Sequence, residues 1–228
     1  MPLKGLLTPL LVLIISVTLA YIRRDYCVDD GFIFARIASN LAEGNAWSFN
    51  PGDPANAVTS PLWLVLLALL SFVTPLGHGS MVALFGLCVA AFGLGIYANL
   101  KARSIYFASA MALGCVALPA LWEAAIMESA LEFALISWTL FAYQKRRPIL
   151  VGCLLGLCVL SRPDTGLLAI LLAANDLLRR KTIPWKMTLA ALVIASPWFI
   201  FSWIQFGSLT PDTLAIKTTQ SSIGVWAE

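Results

Sequence analysis

Histidine is almost missing from this chain, and charge of either sign is scarce. The single histidine, His78, lies between Gly77 and Gly79 in a turn-like setting, where a plain loop role is the ordinary one. No His-Glu-x-x-His zinc helix, Ser-His-Asp set or glycine-rich phosphate loop is present, so the chemistries built on those patterns are excluded. Cysteine gives no framework either. Cys88, Cys115, Cys153 and Cys158 fall inside apolar stretches, where a thiol is a small buried hydrophobe. With only Cys27 near a loop, neither a disulfide network nor a metal cluster follows. Alternation at period two is also lacking, which excludes a membrane barrel.

What the chain has instead is hydrocarbon. Of its 228 residues 60% are hydrophobic and 12% charged, and the mean hydropathy is +0.85. An ordinary soluble domain does not carry such a composition, whereas an all-α, polytopic transmembrane bundle does. Apolar stretches are read at 6–22, 61–76, 80–100, 104–121, 128–143, 149–161, 165–178 and 187–206. The first is expected to be an uncleaved span rather than a signal peptide, because it is long and Arg23-Arg24-Asp25 follows without a small-residue cleavage site.

The formal charge of +3 is not a nucleic-acid footprint, because the basic residues group at span ends and mark orientation instead. Lys101 with Arg103, Lys145-Arg146-Arg147, and Arg179-Arg180-Lys181 with Lys186 are expected in the cytoplasm. Glu123 with Glu128, Arg162-Pro163-Asp164 and the segment from Gly207 to Lys217 alternate with them and share the outer face. If 6–22 crosses once, only one of 61–76 and 80–100 crosses fully. The stretch between Pro61 and Pro75 is the shorter, so it is expected to lie along the surface or re-enter. The expected total is about seven spans plus one interfacial or re-entrant helix.

Two adjacent carboxylates beside a lipid phase need a reason, since charge is costly there. Asp29 and Asp30 open a loop over 25–60 in which Asp29, Ile33, Arg36 and Asn40 recur on one helical face. Phe34, Ile37 and Leu41 form the neighbouring apolar stripe, as an interfacial helix requires. One aspartate would suffice to cap that helix; a pair aligned with Arg36 and Asn40 points to a site. Gly44 ends the helix, Phe49-Asn50-Pro51-Gly52 makes a turn, and Thr59-Ser60-Pro61 starts the next helix with a hydroxyl cap and a first-turn proline. Trp47, Trp63, Trp122 and Trp198 are expected in an interfacial aromatic belt.

Asp29-Asp30-Gly31-Phe32-Ile33, Arg36, Asn40 and Gly44, followed by Asn50-Pro51-Gly52 and Thr59-Ser60-Pro61-Leu62-Trp63, resemble bacterial membrane glycosyltransferases of the GT-C fold. The arabinofuranosyltransferase-like members are nearest, with aminoarabinose transferases and protein O-mannosyltransferases more distant. Met127-Glu128-Ser129-Ala130-Leu131, Ser161-Arg162-Pro163-Asp164 and Phe206-Gly207 through Pro211-Asp212 to Lys217 follow in family order. The chain has Ala55-Asn56-Ala57-Val58 where many relatives carry Val-Glu-Gly-Tyr.

The resemblance implies a single GT-C-like module over 1–228, lacking the family's C-terminal part. It also implies a polyprenyl-phosphate-linked sugar donor and an envelope glycan, lipid or protein acceptor, in the bacterial cytoplasmic (inner) membrane with the site outside. Asp29 is then the base and Asp30 its catalytic neighbour. Arg36, Asn40, Trp63, Glu128, Arg162, Asp164 and Lys217 are substrate-binding candidates, with Arg162 and Lys217 favoured for phosphate. No metal site is assigned, although a divalent cation on Asp29 and Asp30 is compatible with the pattern. The rivals are a transporter or flippase, which would place ionisable groups in mid-span, and an inactive glycosyltransferase-like scaffold.

Overall fold

Each of the eight apolar stretches forms a helix, and the first loop adds another. The computed structural model describes residues 4–26 and 28–211. In order come α1 (Lys4–Ile22), α2 (Asp30–Ala42), a hairpin of β1 (Ser48–Asn50) and β2 (Asp53–Pro54), α3 (Pro61–Ser71), α4 (His78–Leu100), α5 (Ile105–Ala117) and the single turn α6 (Pro119–Trp122). Then follow α7 (Ser129–Gln144), α8 (Pro148–Ser161), a 3-10 turn (Pro163–Thr165), α9 (Gly166–Leu178) and α10 (Trp185–Phe206). Among the described residues the fold is all-α apart from that one hairpin.

Two of these helices, α4 and α10, are long and apolar enough to cross a membrane. The others are shorter than the ~20 residues of a perpendicular span. α5 and α9 have 13 residues and α8 has 14, so each reaches only ~20 Å. α3 is shorter still, at 11 residues. Its sequence says why it starts where it does: the Ser60 hydroxyl accepts from the Trp63 N–H at 3.3 Å, with Pro61 at the first helical position.

The bundle is a row of neighbours. α1 packs on α4 and α5, α4 on α7, α7 on α8, and α8 on α10, while α2 and α3 pack together across one end. Small residues allow the tightest of these approaches. Gly152 and Gly156 are spaced as in a close-packing membrane seam. A Cβ at Gly156 would sit 2.8 Å from the Ala191 carbonyl oxygen, and one at Gly152 2.7 Å from the Ala190 Cβ. Some polar groups inside are paired: the Asn99 amide donates to the Gly95 and Ser137 carbonyls, and Trp138 Nε1 donates to Ala91 O.

The tryptophans correct the belt expectation. Trp47, Trp63 and Trp122 are buried in the main core. There the Trp122 Nε1 reaches the Val116 carbonyl and its ring meets Phe85 edge-on. The outward surface carries aliphatic side chains, Leu6, Leu10 and Val17 of α1 and Leu192, Val193 and Ile204 of α10, and other aromatics, Trp185 and Trp203 among them. Continuous apolar faces of this kind belong against lipid.

Side-chain contacts divide the bundle into two poles. At one, Gln144 at the end of α7 donates to Asn99 near the end of α4, and Arg180 lies over Tyr143, gathering the three basic segments. At the other, Phe32 of α2 meets His78 at the start of α4, Trp63 reaches Ile126, and Asn56 donates to Ser202 Oγ and to Thr210 O. Both ends of the 61–77 segment therefore lie at this second pole.

Candidate functional site

The second pole is organised around a strained residue. Ile126 sits at φ 69°, a left-handed conformation that a β-branched side chain adopts at a cost of about 1–2 kcal/mol. Three contacts hold it there. Its side chain is fully buried against Gly31, where any added Cβ would collide with it. Its carbonyl accepts the Trp63 indole N–H at 3.1 Å, and the Met127 N–H bonds back to Ala124 O. Strain fixed by its surroundings is characteristic of functional positions. Here it sets the direction of the chain into Glu128 and joins the start of α2 to the start of α7.

Glu128 is 4% exposed. Its Oε1 accepts from Arg162 Nη1 at 3.3 Å, while its Oε2 is enclosed with no hydrogen-bond partner among the described residues. The neighbouring hydroxyls of Ser129 and Ser161 are equally buried and unpartnered. Orphaned polar atoms are rare in native interiors. Three of them on residues flanking one ion pair mark a place where a polar ligand would be accepted.

Arg162 follows α8 in extended backbone, with its N–H bonded to Cys158 O. Its guanidinium reaches three carboxylates: Glu128 at 3.3 Å, Glu132 at 3.4 Å and Asp164 at 2.9 Å. The hydrogen bond to Asp164 strengthens its hold on its proton, and the same bond keeps the Asp164 carboxyl below the usual carboxylate range. Both stay ionised at neutral pH. Three carboxyl groups already share this guanidinium, so Arg162 meets a phosphate only by loosening one of them. This differs from the free phosphate-binding arginine that the sequence suggests.

The acidic pair lies at the same pole, through Gly31 against Ile126. Asp29 occupies the N-cap of α2 but makes no side-chain capping bond, and its backbone is helical. Capping is thus not what this residue does. Both Asp29 and Asp30 are exposed, and no described contact joins them to Arg162 or Glu128.

Two other candidates depart from their expected roles. Asn40 is 3% exposed and its amide donates to Ser48 O at 2.9 Å and Phe49 O at 2.8 Å. It holds the hairpin against α2 and has no N–H left for a substrate. Trp63 is 0% exposed, so it offers no ring face to a sugar and acts as the prop under Ile126. Arg36 is exposed and donates to Phe49 O at 3.4 Å, while Lys217 lies outside the described residues. Among the described residues no group of three or more His, Cys, Asp or Glu is placed to hold a metal ion.

Glu132 escaped the reading of the sequence, although it lies one helical turn from Glu128 and therefore on the same face. Arg24 also went unweighed. It borders an apolar groove of about 410 Å³ between α1 and α4, lined by Val17, Ala20, Ala83 and Leu87 among others. Gly79, which lines the same groove, adjoins the His78 ring that contacts Phe32 of α2. Comparison with known proteins returned no matching family model, no curated relative and no similar solved structure.

Proposed function

We propose that this chain is a membrane glycosyltransferase of GT-C type, moving a sugar from a polyprenyl phosphate to an envelope acceptor at the pole that carries α2. The observation that carries the reading is the meeting, at Ile126, of the helix bearing Asp29 and Asp30 with the segment bearing Glu128 and its unpartnered Oε2. In the reaction the acceptor hydroxyl oxygen bonds to the anomeric carbon from the face opposite the phosphate, with inversion. Its proton passes to Asp29 and the polyprenyl phosphate leaves with the bonding electrons. General-base catalysis of this kind contributes about 10²–10⁴-fold.

Glu128 Oε2 accepts a hydroxyl of the sugar, and Asp30 orients the acceptor. The apolar groove between α1 and α4 suits the prenyl chain, with Arg24 at its border for the phosphate. Asp176 alone among the described carboxylates lies at the opposite pole, paired with Arg180 at 3.0 Å. The basic residues of that pole favour the cytoplasm, which supports a reading with the site outside and about seven crossings. Charges kept to the poles weigh against a transporter, whose ionisable groups would sit in mid-span. The three carboxylates on Arg162 favour the second reading, an inactive scaffold in which that cluster only ties α7 to α8.

The test is sugar transfer by the full-length protein in proteoliposomes, supplied with a panel of polyprenyl-phosphate sugars. Asp29→Asn should lower turnover at least 10²-fold, and Glu128→Gln should raise KM more than it lowers kcat. Wild-type turnover in the Asp29 variant removes the base assignment, and no transfer from any donor by the wild type favours the scaffold. Membrane-impermeant thiol labelling of Asp53→Cys, but not of Lys101→Cys, in intact cells checks the orientation.

A further inference from the structure

The basic pole holds a cavity that the proposed reaction does not use. It measures about 360 Å³, and Arg146, Arg147, Arg180, Lys186, Trp185 and Asp176 are among its walls. That volume is at the lower end of small-ligand pockets. It opens where two chain reversals meet, between α7 and α8 and between α9 and α10. α7 has 16 residues, so the cavity stands ~24 Å from the Glu128 cluster.

Its charge is one-sided. Asp176 is satisfied from within, by Arg180 at 3.0 Å and by the Tyr143 hydroxyl, which Asn175 supports at 2.6 Å. Arg180 also stacks over the Tyr143 ring at 4.3 Å. This arrangement fixes one guanidinium in the wall. Among the described residues Arg146, Arg147 and Lys186 have no carboxylate partner, so their charge faces the cavity uncompensated.

The backbone adds to the same sign. Arg147 and Pro148 begin α8, and Pro184, Trp185 and Lys186 begin α10, so two helix N-termini border one space. Such ends carry unpaired N–H groups and partial positive charge, and attract phosphates. Arg146 and Lys181 hold φ of 53° and 52° just beyond α7 and α9, positions that glycine normally fills at lower cost. Basic residues stand there instead.

The surroundings identify the source of the anion. Ile149, Ile183 and Trp185 beside the cavity are exposed by 61%, 77% and 60%. Apolar side chains with a tryptophan at this level belong at a lipid–water boundary. We propose that this cavity binds the headgroup of an anionic phospholipid, its phosphate diester held by Arg147, Lys186 and the N-termini of α8 and α10, its acyl chains lying along the exposed face of α10. Basic pockets between membrane helices recognise acidic headgroups on this physical basis. The inference requires only that the bundle sits in a bilayer, and it is independent of the reaction at the other pole.

The experiment is thermal unfolding of the full-length protein in neutral detergent, titrated with phosphatidylglycerol, phosphatidylcholine or inorganic phosphate. Phosphatidylglycerol should raise the unfolding midpoint at a concentration at least tenfold below that of phosphatidylcholine. The double variant Arg147→Gln with Lys186→Gln should weaken that response at least tenfold, while Arg147→Lys with Lys186→Arg retains it. Lys101→Gln with Arg103→Gln, which removes charge of the same pole outside the cavity, should respond as wild type. Equal responses to the two lipids overturn the proposal, and so does equal weakening by both charge-removing pairs. Stabilisation by inorganic phosphate at the lipid's own concentration also overturns it, by making the occupant a free anion.

Discussion

The two poles of this bundle are built as opposites around the same device, an arginine locked in an ion pair. At the basic pole Arg180 neutralises Asp176, the lone carboxylate there among the described residues, and the remaining cations of the cavity have no described carboxylate partner. At the other pole Arg162 is shared by Glu128, Glu132 and Asp164, while Asp29 and Asp30 are exposed and make no ion pair with a described residue. The difference teaches that at each end one arginine is committed to carboxylates, and that the groups left outside these pairs differ in sign. A buried charge is tolerated only when paired; what is left over after pairing is available for a ligand. The surplus is negative where a proton would be taken and positive where an anion would be held.

The largest expected break comes from removing the shared arginine. Arg162→Ala leaves Glu128 buried and unpaired and should cost about 2–3 kcal/mol, less than the 3–5 of a fully enclosed pair because the arginine side chain is 43% exposed. A lowered thermal unfolding midpoint of the full-length protein in detergent reads this out. The double variant Arg162→Ala with Glu128→Gln should recover much of the loss; no recovery would show that the arginine supports something other than the carboxylate.

A smaller effect is expected beneath Ile126. Trp63→Phe keeps the ring buried but leaves the Ile126 carbonyl without its donor, at a cost of about 1–3 kcal/mol. If that contact aims Glu128, the variant also loses transfer activity in proportion to misplacement rather than to instability. Activity restored to wild type at a temperature where the variant is fully folded would separate Ile126 from the site.

How far the sequence reached depended on whether a signal was local. All eight hydrophobic helices, the amphipathic α2 with its end at Gly44, and the Ser60 cap were legible, because periodicity and capping are properties of neighbouring residues. The Asn50-Pro51-Gly52 turn was legible too, with Gly52 at φ 87°, but not the strands beside it. Their pairing is held by Asn40 from another element. Parity and basic clusters singled out 61–76 as the stretch expected to lie along the surface or re-enter, and α3 has 11 residues. Tertiary packing was not legible. Trp47, Trp63 and Trp122 look like belt residues by position in the chain, and only the fold turns them inward. Nothing local marks Ile126 as left-handed, since its conformation comes from Gly31 and Trp63, distant in sequence. Glu132 was within reach, because its spacing from Glu128 is helical. Lys217, Asp212 and Cys27 lie outside the described residues.

A further comparison within the acidic pole is sharper because its stability effects are small. Asp164 is 63% exposed along its side chain, so its bond to Arg162 contributes at most about 1 kcal/mol. Its folded carboxyl is depressed by that arginine. The contribution is therefore complete above the unfolded value near pH 4 and disappears as pH falls through the lower folded value. Asp164→Asn should be slightly less stable than wild type at pH 7, and the gap should close on acidification below pH about 4. A gap that persists undiminished in acid would mean that Asp164 is held by something other than its charge.

Asp29→Asn should change stability by less than about 0.5 kcal/mol, the ordinary range of an exposed substitution, because Asp29 makes no capping bond. Of the two, only this variant should lose transfer at least 10²-fold. Stability and activity thus respond at different residues of one pole. Should Asp29→Asn destabilise the fold by more than 1 kcal/mol while leaving transfer intact, the aspartate belongs to the scaffold, and the surplus charge of this pole resides in Glu128 instead.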